Sequence, residues 1–218
     1  MAEYLIHACV NREWYVDGFL IPSMVDQGIS RDNIEVWMDR QHDGCLFSCM
    51  KCFREYGKRD SGRWHLQDDV VISKNFKEMT EKYDEGVVAG FFKKDWQAAT
   101  PKAGHVPAVY LWNSFQCIRI PDEVIRECAE WFFTDAMFQD IYQEAVTLNK
   151  MDDSLFHDFF TNFRTGDYVE NLKPSIVDHI DYLIGGSVIN GSRGCKARAD
   201  FWDDHGEVEE LEAKLARR

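Results

Sequence analysis

With 218 residues, 45% of them hydrophobic and 14% aromatic, and no low-complexity tract, the chain has the material for one folded domain with a sizeable core rather than a disordered tail. A formal charge of −13 argues against broad nonspecific attraction to nucleic acid, which rests on basic surface. No apolar run approaches the roughly 20 residues that cross a bilayer, no signal-peptide pattern is present, and seven cysteines cannot all pair within one chain, so a cytoplasmic protein with reduced thiols is expected.

Apolar residues run first through Tyr4 to Val10, a strand pattern, and then take helical spacing over Trp14 to Gln27, where Gly28 supplies a C-terminal stop. A second strand follows at Ile34 to Met38. Leu46, Cys49, Met50 and Phe53 recur at spacings of three and four, as one face of a helix does, until Gly57 to Gly62 breaks the pattern. Gly62 to Ile72 reads as a strand, Asn75 to Tyr83 as a helix and Gly86 to Phe92 as a further strand. Lys93 to Pro107 reads as a loop and Ala108 to Ile120 as one long or bent strand. Pro121 opens a helical region that continues to about Phe163, and a Glu-rich terminal helix follows Asp203. The alternation β-α-β-α-β-α-β predicts an α/β protein with a mainly parallel sheet, right-handed crossovers and function at the strand ends.

Within that order the most informative stretch is Gln67-Asp68-Asp69, where an apolar strand runs into adjacent carboxylates. Burying two acids side by side is costly unless a cation or hydrogen bonds compensate them. Open α/β sheets take ligands outside the carboxyl ends of their strands, where acids meet a hard metal ion and a diphosphate. A solvated turn would explain the pair equally simply. Cys9, Asn11 and Arg12 close the first strand at the same edge, and the planar fork of arginine suits phosphate oxygens. Asp39 closes the second strand and could hydrogen-bond a nucleoside.

The segment Asp43-Gly44-Cys45-Leu46-Phe47-Ser48-Cys49, followed by Gln67-Asp68-Asp69-Val70 and Phe76, resembles the Gly-Cys-x-x-Ser-His helix and Glu-Asp-Asp strand end of lipooligosaccharide-type family 25 glycosyltransferases. The chain as a whole resembles a small GT-A glycosyltransferase of the sort also found in bacteriophage genomes. That resemblance, carried mainly by residues 1–92, implies a GT-A-like (Rossmann-like) sheet flanked by helices with a helical C-terminal part. It also implies a nucleoside-diphosphate sugar donor, a UDP-sugar by expectation, and a divalent metal, Mn²⁺ or Mg²⁺. In these terms 1–218 is a single domain, with 1–92 as its nucleotide-sugar half, 93–202 as its acceptor-side half and 203–218 as a solvated helix. Cys49 stands where the family has His, and Gln67 where it has an acid. The resemblance makes Asp69 the metal ligand and Asp68 a donor-sugar or ribose contact, with Gln67 beside them. Pro174-Ser175-Ile176-Val177-Asp178-His179 resembles a C-terminal Pro-Ser-x-x-x-His stretch whose histidine completes the metal shell, which makes His179 the second metal ligand.

Met151-Asp152-Asp153-Ser154 opens an apolar helix. An acid there caps the helix, or it serves as the base that takes the acceptor hydroxyl's proton in an inverting transfer, with Asp153 first and Asp152 next. Trp112 and Asn113, late in the long strand, are candidates to shape the acceptor site. The acceptor is a glycan or small molecule, or a hydroxymethylated base in phage DNA reached in the host cytoplasm. For DNA, the basic stretch Lys51 to Arg63 with Lys93 and Lys94 offers a phosphate-contacting rim. Two rival readings stand beside this one. Cys45, Cys49 and Cys52 have the spacing of a radical iron-sulfur enzyme, yet they also form a single helical stripe, whereas cluster ligands usually sit on a loop. A degenerate transferase fold serving as a noncatalytic interaction protein is the other.

Overall fold

The structure, a computed structural model, describes residues 3–56, 62–91, 104–107, 115–134, 152–172, 175–180, 183–184 and 206–217. β1 (Glu3–Cys9) leads through a tight turn at Val10–Arg12 into α1, which is helical in three consecutive stretches: Glu13–Tyr15, a wider π-helical turn Val16–Leu20, and Ile21–Asp26. Pro22 lacks the N–H that would bond the carbonyl one turn back, and its ring crowds that carbonyl. The wide turn directly before it takes up the mismatch. Gly28, at φ +82, ends the helix in a Schellman arrangement, with Gly28 N bonding Val25 O at 2.8 Å and Ile29 N bonding Met24 O at 3.2 Å.

β2 (Ile34–Asp39), α2 (Cys45–Tyr56), β3 (Arg63–Gln67), β4 (Val70–Ile72), α3 (Phe76–Lys82) and β5 (Val87–Ala89) follow in order. Then come β6 (Gly104–Pro107), β7 (Cys117–Ile120), α4 (Asp122–Thr134), α5 (Asp152–Phe163), β8 (Tyr168–Asn171), β9 (Val177–His179) and α6 (Gly206–Leu215). The main sheet has seven strands in the order β2-β1-β3-β7-β5-β8-β6. β1 pairs parallel with both β2 and β3, and β5 with β8, while β7 runs antiparallel to β3 and β5, and β6 to β8. The result is a mixed α/β fold with a mostly parallel central sheet, compatible with a Rossmann-like arrangement.

Alternation along the strands divides the core between the two faces. Tyr4, Ile6, Ala8, Trp64 and Leu66 pack with Tyr15, Val16, Leu20 and Met24 of α1 and with Phe76 of α3. On the other face Ile118, Ile120, Val87 and Val169 meet Met50 and Phe53 of α2, Ile125 and Phe132 of α4, and Phe156 and Phe160 of α5.

Four expectations need correction. Gly62 to Ile72 is not one strand: β3 ends at Gln67, the chain turns at Asp68 and Asp69, and β4 leaves the main sheet to pair antiparallel with β9, Val70 opposite His179. Part of the expected loop is strand β6. Of the expected strand Ala108 to Ile120, Cys117–Ile120 is β7, Phe115 and Gln116 form a turn, and 108–114 lie outside the described residues. The terminal helix is not simply solvated, because Leu211 of α6 is buried in the α1-side core. Its burial removes an apolar side chain from water that a free-standing helix would leave exposed. Among the described residues, no helix is long and apolar enough to cross a membrane.

Candidate functional site

The strand order places a topological switch point between β1 and β3, since the chain leaves β1 toward β2 on one side and returns to β3 on the other. Ligand crevices of open α/β sheets lie at the carboxyl ends of such a strand pair. Arg12 follows one of these strands, and Asp68 and Asp69 follow the other.

All three residues are almost fully enclosed, at 5%, 6% and 9% exposure. Arg12 Nη1 donates to Asp68 Oδ1 and to Asp69 Oδ2, each at 2.7 Å. The Cys9 backbone N–H donates to the other Asp68 oxygen, also at 2.7 Å. His179, delivered by β9, brings its Nε2 to 3.2 Å from Asp69 Oδ2, and its ring lies edge-on to Phe91 with centroids 6.5 Å apart. Ile180 N bonds the Asp69 carbonyl at 2.8 Å, so backbone pairing and side-chain contact fix the same spot. Tyr15 Oη donates to the Val70 carbonyl at 2.7 Å and ties α1 to the residue after the acids.

The two carboxyls share this environment unequally. Burial pushes Asp69 up, but His179 and Arg12 outweigh it and hold the group below the usual carboxylate range. Burial, and then repulsion from Asp69, raises Asp68 despite Arg12. Asp69 is therefore the more acidic member of the pair. Arg12 is disfavoured as a cation by burial, yet Asp69 and Asp68 more than restore it. The Cys9 thiol is pushed up to about 12 by burial and by Asp68, so it remains protonated and is no nucleophile at neutral pH.

Among the described residues, the buried Asp69 Oδ1 finds no hydrogen-bond partner. Magnesium-type ions are commonly held by one or two carboxylates together with substrate phosphates rather than by an all-protein cage. Asp69 Oδ1 is an oxygen of that kind, and His179, whose Nε2 already faces Asp69 Oδ2 at 3.2 Å, is the imidazole beside it, so the two suit an ion only as a minor part of its coordination. They do not build a self-sufficient metal centre. Among the described residues no group of three or more His, Cys, Asp or Glu side chains could hold an ion, and that includes the Cys45, Cys49 and Cys52 stripe. All three lie on α2 outside any disulfide, with Cys49 and Cys52 buried against the core.

The remaining candidates are placed as follows. Asn11 is exposed on the turn before Arg12, and Gln67 is partly exposed at the end of β3, its backbone N–H bonded to Gln116 O at 3.1 Å. Asp39 accepts from the N–H groups of Asp43 and Gly44 at 3.0 and 3.1 Å, which anchors the loop entering α2. Asp152 and Asp153 stand in the first turn of α5, their side chains outside the described residues, as are Trp112 and Asn113 altogether. The three described members of the basic rim are engaged elsewhere. Arg63 is 1% exposed and pairs with Glu3 and Glu35 at 3.1 and 3.5 Å, Lys51 pairs with Asp43 at 2.8 Å, and Arg54 lies over the Phe133 ring. Lys58, Arg59, Lys93 and Lys94 lie outside the described residues.

Sequence reading missed a second buried polar pair. His7 Nε2 and His65 Nδ1 are 2.9 Å apart on neighbouring strands, both rings meet Phe53 edge-on, and the outer nitrogens have no hydrogen-bond partner among the described residues. The available signal was a histidine at an alternate, inward position of each of two apolar strands.

The fold and this corner thus define a mixed α/β protein with an arginine-bridged carboxylate pair at its switch point. No protein-family profile and no curated protein matches the chain. Among solved structures it is similar to A197 from STIV, at 18% identity and a TM-score of 0.39, over 82% of this chain and 85% of that one.

Proposed function

We propose that the chain is a GT-A-like glycosyltransferase that moves a sugar from a nucleoside-diphosphate sugar, a UDP-sugar, to an acceptor hydroxyl. The observation that carries this reading is the convergence of Arg12, Asp68, Asp69 and His179 at the switch point, with one buried carboxylate oxygen left over. A diphosphate needs cationic and donor groups beside it, and Arg12 with the backbone turn after β1 supplies them. Asp68, held by Cys9 N–H, faces the donor's ribose or sugar, and Gln67 beside it offers neutral hydrogen bonds. Asp69 and His179 would hold the divalent ion. When bound, that ion would neutralise charge on the leaving diphosphate.

The proton of the acceptor hydroxyl goes to a carboxylate at the start of α5, Asp153 or Asp152, in an inverting displacement. Trp112 and Asn113 would shape the acceptor side. Because Lys51, Arg54 and Arg63 are already engaged, a glycan or small-molecule acceptor is favoured over modified phage DNA.

A thermal-shift panel of nucleotide sugars with Mn²⁺ or Mg²⁺ tests the reading, since a ligand that binds only the native state raises its melting temperature. A UDP-sugar is expected to raise it in wild type, and Asp69→Asn is expected to remove the metal-dependent part. No shift with any nucleotide sugar at millimolar concentration would overturn the proposal.

A further inference from the structure

We infer that Arg12 is the built-in competitor of the divalent ion at Asp69, so that the corner takes a metal only when a diphosphate draws the guanidinium away. The inference deepens the function proposed above, and its second half rests on that reading. Three observations carry it. Arg12 Nη1 contacts Asp68 Oδ1 and Asp69 Oδ2 at the same 2.7 Å, so a single nitrogen closes the acid pair from the side that faces the turn after β1. Both Asp68 oxygens already accept a hydrogen bond, Oδ1 from Arg12 and Oδ2 from Cys9 N–H. Asp69 keeps Oδ1, buried and without a hydrogen-bond partner among the described residues, on the same carboxyl whose Oδ2 already faces Arg12 and His179.

A divalent ion at Oδ1 would therefore sit one carboxyl group away from a buried guanidinium. Like charges at that separation repel strongly where water is scarce. One carboxylate cannot serve both cations fully, and the guanidinium holds it in the absence of ligand. A diphosphate changes the balance, since its oxygens accept from an arginine fork and complete the ion's coordination at the same time. Metal and diphosphate then bind as mutually reinforcing ligands, each favouring the state in which Arg12 has let go of Asp69.

The test measures Mn²⁺ binding by the loss of the free-ion paramagnetic resonance signal, for wild type, Arg12→Gln and Arg12→Lys, each with and without UDP. Wild type alone is expected to bind Mn²⁺ weakly. Arg12→Gln is expected to bind it about tenfold or more tightly, the scale on which a neighbouring charge acts. Arg12→Lys should fall between, since a compact ammonium reaches one carboxylate less well than a guanidinium spans two, and it carries the test alone if Arg12→Gln does not fold. UDP should tighten Mn²⁺ binding in wild type and do so less in Arg12→Gln. Equal or weaker Mn²⁺ affinity in both variants would overturn the inference. Tighter Mn²⁺ binding in the variants with no effect of UDP on any form would keep the competition and instead remove the nucleotide reading.

Discussion

His179 Nε2 stands 3.2 Å from Asp69 Oδ2 because Val70 and His179 are opposite residues in the antiparallel β4–β9 pair. A short side sheet therefore does the positioning, and the imidazole depends on backbone hydrogen bonds at the acid turn itself. His179→Ala removes the ring while leaving that backbone pairing available. The expected outcome is a folded protein whose Mn²⁺-dependent affinity for a UDP-sugar falls by about tenfold or more, the range seen when groups that support a metal are lost. Titration calorimetry giving equal affinities for wild type and variant would separate His179 from the site.

Arg12 also bears on stability. Taking away one partner of a buried ion cluster leaves uncompensated charge and costs about 3–5 kcal/mol. Arg12→Met should lower the urea-unfolding free energy by that order, and adding Asp68→Asn and Asp69→Asn should restore part of it. An Arg12→Met protein as stable as wild type would mean that the carboxyls do not depend on the guanidinium in the folded state.

The His7–His65 pair makes acid sensitivity predictable. Burial depresses His7 to about 4, and burial, then His7 and Arg63, hold His65 well below its ordinary value. Folded histidines of this kind refuse protons that the unfolded chain accepts at about 6.5. Their contribution is thus fully present above that pH and is lost as pH falls from there toward 4, at up to ~1.4 kcal/mol per pH unit for each ring. Urea midpoints measured from pH 7.5 to 4.5 should show this decline, and His7→Gln/His65→Gln should flatten it.

Gly90 gives a packing prediction. A Cβ there would lie 2.9 Å from Cys117 Sγ and 2.9 Å from Ile176 Cγ1, while Gly90 bonds both neighbours through its backbone, to Cys117 O and from Ile176 N at 2.8 Å each. Neither contact is a flexible side-chain end that swings clear, so Gly90→Ala should cost about 1–3 kcal/mol. Because Ile176 precedes β9, the same variant should weaken UDP-sugar binding, which a purely local clash would leave unchanged.

The parallel core was legible because β1, β2 and β3 carry short strand-like apolar stretches separated by helical spacing, and Gly28 was readable as a stop from its residue type alone. The acid pair was legible as well, since two carboxylates after Leu66 conflict with the burial of that strand. What escaped was set by partners distant in the chain. Tyr168–Asn171 and Val177–His179 are strands of four and three residues, too short to show a period, and they exist because β5 and β4 offer edges to them. The Lys51 to Arg63 stretch read as a basic rim because no local pattern announces that Arg63 turns inward to Glu3 and Glu35. Arg12 was placed at the strand end as a phosphate ligand, but its grip on both acids depends on a register between β1 and β3 that only folding reveals.

The pairing of β4 with β9 has a consequence for synthesis. The ribosome releases the acids long before it releases Val177–His179, so a nascent chain carries a switch point without its imidazole and without the strand that fixes the turn. The complete corner would accordingly arise late in the chain's emergence, once the residues that pair with Val70–Ile72 and bond the Asp69 carbonyl have appeared.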